Sequence, residues 1–171
     1  MILSFHTQFL VELALLLAPL GFLYLEKGGK NFFDKARKEL FLKKIDFFSA
    51  LKLFLIALVM LYIEIFLLSS LGALDTYKVE RTVRGLAVHS ILLAFTLTPV
   101  AEEVLFRGYL QARIGLLLSS FLFSASHIFY GSIAQLVGAF SISILFGLWL
   151  RKKKNLFDCI LAHAFVNAFS I

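Results

Sequence analysis

Six polar residues in the second half of the chain carry the groups from which a hydrolytic site can be built. They are Glu102, Glu103, Arg107, His127, His163 and Asn167. All six lie in strongly apolar stretches, where ionisable groups are costly and indicate a functional site by default. A carboxylate can act as a general base toward water, and imidazole and amide N–H groups can stabilise an oxyanion. With one water molecule, these groups could hydrolyse an amide bond.

The local spacing gives the two glutamates different surroundings. Glu103 and Arg107 are four residues apart, so they can form an ion pair along one helical face. Glu102 lies about 100° further round the same helix and is left free to point into the bundle. His163 and Asn167 are also four residues apart and project side by side from the last helix.

Helical rise places three of these residues at a similar depth. At 1.5 Å per residue, Glu102 lies about 16 Å before the turn at 113–115, and His127 lies about 18 Å after it. His163 lies about 12 Å beyond Asn155, where the chain re-enters the apolar region from the same face. We therefore expect one carboxylate and two imidazoles to meet in one layer of the bundle.

Two other chemistries use the same region. Glu102, His127 and His163 have the ligand types of a His₂Glu zinc site, although no H-E-x-x-H motif is present. Cys159 precedes His163 by four residues and could form a Cys–His nucleophile pair, but its small apolar neighbours favour an inert buried thiol. Other ionisable residues of the apolar segments are interpreted as hydrogen-bonded packing residues: Glu12, Glu64, His89 and Asp158.

The elements that must position these residues are membrane helices. The 171 residues are 60% hydrophobic and 16% charged, and the mean hydropathy is +0.90. An ordinary soluble domain is about 45–50% apolar and about 25% charged. The net charge of +6 lies in short blocks between apolar runs, a pattern typical of membrane-protein loops in contact with lipid. We therefore expect no nucleic-acid partner.

Six apolar segments are candidate membrane helices, for which about 20 residues are needed, and the sixth is rather short for a span. They cover residues 7–25, 47–74, 86–113 (kinked by Pro99), 115–129, 132–150 and 155–171. Gly138 and Gly147 in the fifth segment permit close helix approach. Residues 27–46 are basic and amphipathic, which indicates a helix lying in the membrane interface. The predicted fold is an all-α polytopic bundle of about six transmembrane helices plus this interfacial helix.

The basic residues also predict an orientation. Seven lie in residues 27–46, two are Arg107 and Arg113, and four form the run 151–154. These thirteen follow the first, third and fifth segments, whereas the opposite loops hold only Lys78, Arg81 and Arg84. The positive-inside rule therefore predicts that the side with thirteen basic residues faces the cytoplasm.

Three short motifs together resemble a known family. Glu102-Glu103-x-x-x-Arg107, Phe123-x-x-x-His127 and His163-x-x-x-Asn167 occur in this order in consecutive apolar segments. This arrangement resembles the CAAX protease and bacteriocin-processing (CPBP or Abi) family, which includes the type II CAAX prenyl endopeptidases. The resemblance covers residues 86–171, about half of the chain.

The resemblance implies an intramembrane peptidase whose active site opens to the cytoplasm. In the matching positions, Glu102 would activate water with help from His127. His163 and Asn167 would form an oxyanion hole, and Glu103 and Arg107 would support the site.

We therefore predict a multi-pass membrane hydrolase with one membrane domain in two parts. Residues 1–84 hold two spans and the basic interfacial helix at about 27–46, and residues 85–171 form the catalytic core. The expected substrate is a peptide or protein, with or without a lipid modification, cleaved near the cytoplasmic leaflet. We expect no cofactor. The alternatives are a zinc-dependent membrane peptidase that uses the same residues and a non-catalytic membrane binding or transport protein.

Overall fold

Three long apolar helices form the framework of the protein. The computed structural model describes residues 5–170, and every regular element within them is helical. Helices α1 (Phe5–Lys27), α3 (Phe47–Ser70) and α9 (Ile133–Lys153) are each long and apolar enough to cross a membrane. In lipid a helix is favoured because it satisfies its own backbone groups. The predicted all-α polytopic membrane architecture is confirmed.

The third apolar segment forms a broken span rather than one kinked helix. It consists of α5 (Val88–Phe95), α6 (Leu97–Glu102), a π-helical segment (Glu103–Leu110) and α7 (Gln111–Ile114). The two parts meet at Thr96 and are bent by 43°. Pro99 explains the place of the break, since it has no N–H for the Phe95 carbonyl and its ring excludes that carbonyl from a helical position. The helix therefore breaks before the proline.

Two of the six segments form helices too short to span a membrane unaided. Helix α8 (Leu116–Ala125) ends in a turn and a 3₁₀ segment (Ile128–Tyr130), and α10 (Leu156–Ser170) is also short. A spanning helix needs about 20 residues. The six predicted spans are thus three long helices, one broken span and two shorter apolar helices.

Two short helices connect the long ones. Helix α2 (Phe32–Glu39) occupies the basic segment where an interfacial helix was predicted, and it buries Ala36 while leaving Phe33 exposed. Helix α4 (Tyr77–Arg84) joins α3 to α5 and carries an ion pair between Glu80 and Arg84.

The last helix occupies the centre of the bundle. Helix α10 packs against α3, α9 and the parts of the broken span. Its buried Leu156, Ile160 and Val166 join a core that includes Leu53 and Phe146. Because α10 touches the broken span directly, its polar side chains come close to the paired glutamates.

The bundle has two chemically different ends. At the basic end, Asn155 donates to the Lys44 carbonyl and the Leu156 N–H donates to the Phe41 carbonyl, which joins the basic segment to the loop after α9. At the α4 end, Asp75 accepts hydrogen bonds from the first residues of α9. Arg107, counted above among the loop charges, is instead buried in the π-helical segment, so twelve basic residues remain on that side.

Candidate active site

His163 lies between the two adjacent glutamates. Its Nδ1 is 2.8 Å from Glu103 Oε1, and its Nε2 is 3.6 Å from Glu102 Oε2. The Glu103 side chain is fully buried, and His163 is 5% exposed. The structure therefore brings residues 60 positions apart in the sequence into direct contact.

The backbone explains why both neighbouring carboxylates reach one imidazole. Glu102 is the last residue of α6, and Glu103 begins the π-helical segment. Such segments are rare and occur frequently at functional sites. The sequence spacing predicted that Glu102 would point into the bundle apart from Glu103, but both glutamates approach His163.

The ion pair predicted from the i, i+4 spacing is present. Arg107 Nε lies 3.2 Å from Glu103 Oε2, and both side chains are buried. The Arg107 guanidinium also lies 4.0 Å from the centre of the Phe123 ring, a cation–π distance. Glu103 thus has Arg107 on one oxygen and His163 on the other, which fixes the imidazole.

The bond to Glu103 constrains the protons of His163. Nδ1 must carry a hydrogen to donate to a carboxylate, so in the neutral ring Nε2 is an acceptor. Nε2 can donate a hydrogen bond only when the ring is an imidazolium. An oxyanion contact from His163 Nε2 therefore requires the charged ring.

His127 and His163 both lie near the Phe123 ring. Its Nδ1 donates to the Phe123 carbonyl at 2.9 Å, and its ring stacks on Tyr130 with 6.0 Å between centroids. The Phe123 ring lies 4.9 Å from the His127 ring and 6.0 Å from the His163 ring. Within residues 5–170, His127 forms no hydrogen bond with Glu102, although both histidines line one cavity.

Asn167 holds the broken span. Its Nδ2 donates to the Ala94 carbonyl at 2.8 Å. Ala94 lies in the last turn of α5, where carbonyls have no partner within the helix. The amide therefore satisfies a backbone group at the break and fixes α10 against the span that carries the glutamates. The second N–H of this amide is available for another acceptor.

A cavity of about 580 Å³ adjoins these residues. His127, His163 and Asn167 line it on the site side, and Glu64 lines it from α3. Residues of α4, including Glu80, form the wall toward the α4 end. Glu102 and Glu103 are not among the residues that line this cavity, but both contact His163, which does line it.

The donors of a zinc site do not converge. Within the described part of the chain, no three His, Cys, Asp or Glu side chains are grouped as ligands of one metal ion. His163 Nδ1 is engaged by Glu103, and His127 Nδ1 is engaged by the Phe123 carbonyl. Cys159 is buried, and its thiol donates to the Phe146 carbonyl at 3.5 Å, so its bond is not to His163. The Cys–His pair considered from the sequence is not formed.

The residues interpreted as packing fall into two groups. Asp158 accepts from Asn155 and Trp149, and Glu12 accepts from Thr98 at 2.6 Å, so both are hydrogen-bonded packing residues. Glu64 accepts a hydrogen bond from Ser141, as interpreted from the sequence, but it also lines the cavity. Its position in an apolar run was the only sequence signal, and that signal is the same for buried packing residues.

Comparisons with known proteins each cover about half of the chain. The profile of the family described as type II CAAX prenyl endopeptidase Rce1-like matches residues 84–169. A Bacillus subtilis (strain 168) protein described as "Uncharacterized protein YpbD" is 38% identical over 90 residues, which are 52% of this chain and 45% of that protein. The chain thus spans about half the length of this curated relative. No solved structure matches.

Proposed function

The chain belongs to the Rce1-like family of type II CAAX prenyl endopeptidases, and we propose that it hydrolyses a peptide bond by a glutamate-activated water. The observation that carries this proposal is the contact of Glu102 and Glu103 with His163, which lines a cavity. A general base needs a partner that fixes its geometry, and this cluster supplies one.

In the proposed reaction, the Glu102 carboxylate takes a proton from water while the water oxygen bonds to the peptide carbonyl carbon. The carbonyl oxygen becomes an oxyanion that accepts hydrogen bonds from the His163 imidazolium and the free N–H of Asn167. The C–N bond then breaks, and the proton held by Glu102 passes to the leaving amine.

The other residues of the cluster act on His163 and on the cavity. Glu103 holds the His163 ring through Nδ1, and Arg107 balances the charge of Glu103. His127 faces the same cavity, where its Nε2 can contact the substrate or the attacking water. The cavity walls contributed by α3 and α9 are largely apolar, which suits a hydrophobic or lipidated peptide.

The side of the membrane on which cleavage occurs is separate from the proposed chemistry, and the family resemblance implies the cytoplasmic leaflet. Because the cavity lies toward the α4 end, this location requires the α4 end to face the cytoplasm. The positive-inside rule predicts the reverse, since twelve basic residues lie at the other end of the bundle. The two predictions exclude each other in this fold. The proposed chemistry does not depend on which of them holds.

A peptide library incubated with purified protein, with products identified by mass spectrometry, tests the activity. Glu102→Gln keeps the side-chain shape and removes the base, so kcat should fall by about 10²–10⁴. Glu12→Gln is the matched control, because Glu12 is a buried glutamate bonded to Thr98 that takes no part in the proposed step. Equal turnover in the wild type and Glu102→Gln would contradict the mechanism.

The same assay separates the alternatives. Prolonged chelation should leave turnover unchanged, and metal analysis should find well below one zinc per chain. Loss of activity on chelation with rescue by stoichiometric zinc would instead assign a zinc peptidase. If no library peptide is cleaved, or if neither Glu102→Gln nor His163→Gln changes the measured turnover, the non-catalytic binding or transport function is favoured.

A further inference from the structure

A second, smaller pocket lies at the basic end of the bundle, away from the cavity beside His127. It has a volume of about 300 Å³ and lies where the π-helical segment and α7 meet the end of α9. Its lining includes three cationic side chains, from Arg107, Arg151 and Lys154, and the amide of Gln111. No acidic side chain is among the described residues that line it.

Arg107 lines this pocket, and its guanidinium is only partly paired. Its side chain is 2% exposed, and its Nη1 and Nη2 atoms are buried without a hydrogen-bond partner among residues 5–170. Only Nε faces Glu103, at 3.2 Å. A buried donor without a partner costs about 1–3 kcal/mol, and more when it is charged. An anion in the pocket would supply the missing acceptors.

The other two cations, unlike Arg107, have no acidic partner among the described residues. Neither Arg151 nor Lys154 forms an ion pair within the described part of the chain. Lys154 ends α9 in a left-handed conformation, with φ at 54°, and its ammonium lies 4.9 Å from the Phe41 ring centre. Arg151 and Lys154 thus place two uncompensated positive charges at one pocket, and a bound anion would relieve the repulsion between them.

We propose that this pocket binds a phosphate group and that an anionic membrane lipid supplies it. A phosphate offers acceptor oxygens in several directions, whereas a carboxylate offers two in one plane, and guanidinium groups match phosphate oxygens in paired hydrogen bonds. The pocket lies where α9 ends in a basic run. Basic pockets between membrane helices at this level are typical binding sites for lipid headgroups.

Lipid titration of the purified full chain in neutral detergent tests the proposal, with thermal unfolding as the readout. Phosphatidylglycerol should raise Tm in a saturable way. Phosphatidylcholine is the control for acyl chains, and inorganic phosphate is the probe for a soluble source. Arg151→Gln and Lys154→Gln should each weaken the apparent affinity roughly fivefold. Arg151→Lys keeps the charge and should retain binding.

Lys152→Gln is the matched control, since it removes one charge from the same exposed run and Lys152 does not line the pocket. The proposal is supported if Lys152→Gln still binds phosphatidylglycerol while Arg151→Gln and Lys154→Gln bind it more weakly. An equal or larger Tm shift with inorganic phosphate assigns a soluble phosphate as the source and overturns the lipid. Equal loss in all three variants, an equal shift with phosphatidylcholine, or no shift at all overturns the phosphate site.

Discussion

His163 is the residue on which the candidate active site depends. Glu103 fixes its Nδ1, Glu102 lies beside its Nε2, and the same ring faces the cavity. The imidazole therefore contacts the proposed base and also borders the space available to a substrate. A site of this kind tolerates little displacement of the ring, because each neighbour makes a directed contact with one nitrogen.

Asn167 has two separable contributions, and its removal should show both. Asn167→Ala removes the proposed oxyanion donor, so kcat should fall by about 10²–10³. It also leaves the Ala94 carbonyl without its partner, so the free energy of unfolding should fall by about 1 kcal/mol. Steady-state kinetics and thermal unfolding of the same preparation measure the two effects.

Ser70→Ala is the control for Asn167→Ala. The Ser70 hydroxyl also donates to a backbone carbonyl, that of Phe66, but it lies at the exposed end of α3. We expect the Ser70→Ala variant to have the kcat of the wild type. A fall in Tm for Asn167→Ala without any loss of kcat would restrict this residue to the structural role.

At the scale of elements, close packing at Gly147 fixes α9 against its neighbours. A Cβ at Gly147 would overlap the side chains of Leu116 and Gln111. Gly147→Ala should displace the ends of these side chains, including the Gln111 amide that donates to the Gly147 carbonyl, so it should destabilise the protein by about 1 kcal/mol and lower Tm. Gly21→Ala is the control, because a Cβ there meets nothing within 4 Å. Similar Tm values for the two variants would refute the close approach.

Asp75 joins the loop after α3 to the start of α9. The backbone N–H of Ala134 and the hydroxyl of Ser132 hold the pKa of the Asp75 carboxyl well below its usual range, aided by Ile133 N–H and Lys78. A carboxyl with a lowered folded-state pKa stabilises the fold above its unfolded pKa, about 3.9, and this contribution is lost as the pH falls toward the folded pKa.

The Tm difference between wild type and Asp75→Asn measures this linkage. We expect the variant to be less stable at pH 6–7, because an amide N–H replaces an acceptor facing several donors. The difference should shrink below about pH 4 as the wild-type carboxyl protonates. Asp34→Asn, at an exposed position in α2, is the control and should differ little in Tm from the wild type at every pH. A pH-independent difference for Asp75→Asn would contradict the account.

At the scale of the whole molecule, charge asymmetry predicts which end faces the cytoplasm. A membrane-impermeant thiol reagent added to intact cells should label a Thr76→Cys variant, at the α4 end, and leave an Asp34→Cys variant unlabelled. The parent chain is the control, because its one cysteine, Cys159, is buried. Labelling of Thr76→Cys would exclude a cytoplasmic opening of the cavity. Labelling of Asp34→Cys alone would instead overturn the charge-based orientation and support that opening.

The sequence by itself determined the class of fold and the identity of the candidate residues. Apolar runs of membrane length predict helices because backbone groups in lipid must bond within their own segment. The i, i+4 spacing of Glu103 and Arg107 predicted their ion pair, since a helical turn brings such residues together whatever surrounds them.

Only the tertiary structure decided how these residues divide their contacts. Spacing along one helix assigned Glu102 and Glu103 to different directions, but the π-helical turn and the central position of α10 bring both to His163. The bond of Asn167 to Ala94 depends on the break before Pro99. These contacts join residues far apart in the chain. The local periodicity of the sequence shows which residues share a helix face, but it carries no information about which faces become neighbours when the bundle packs.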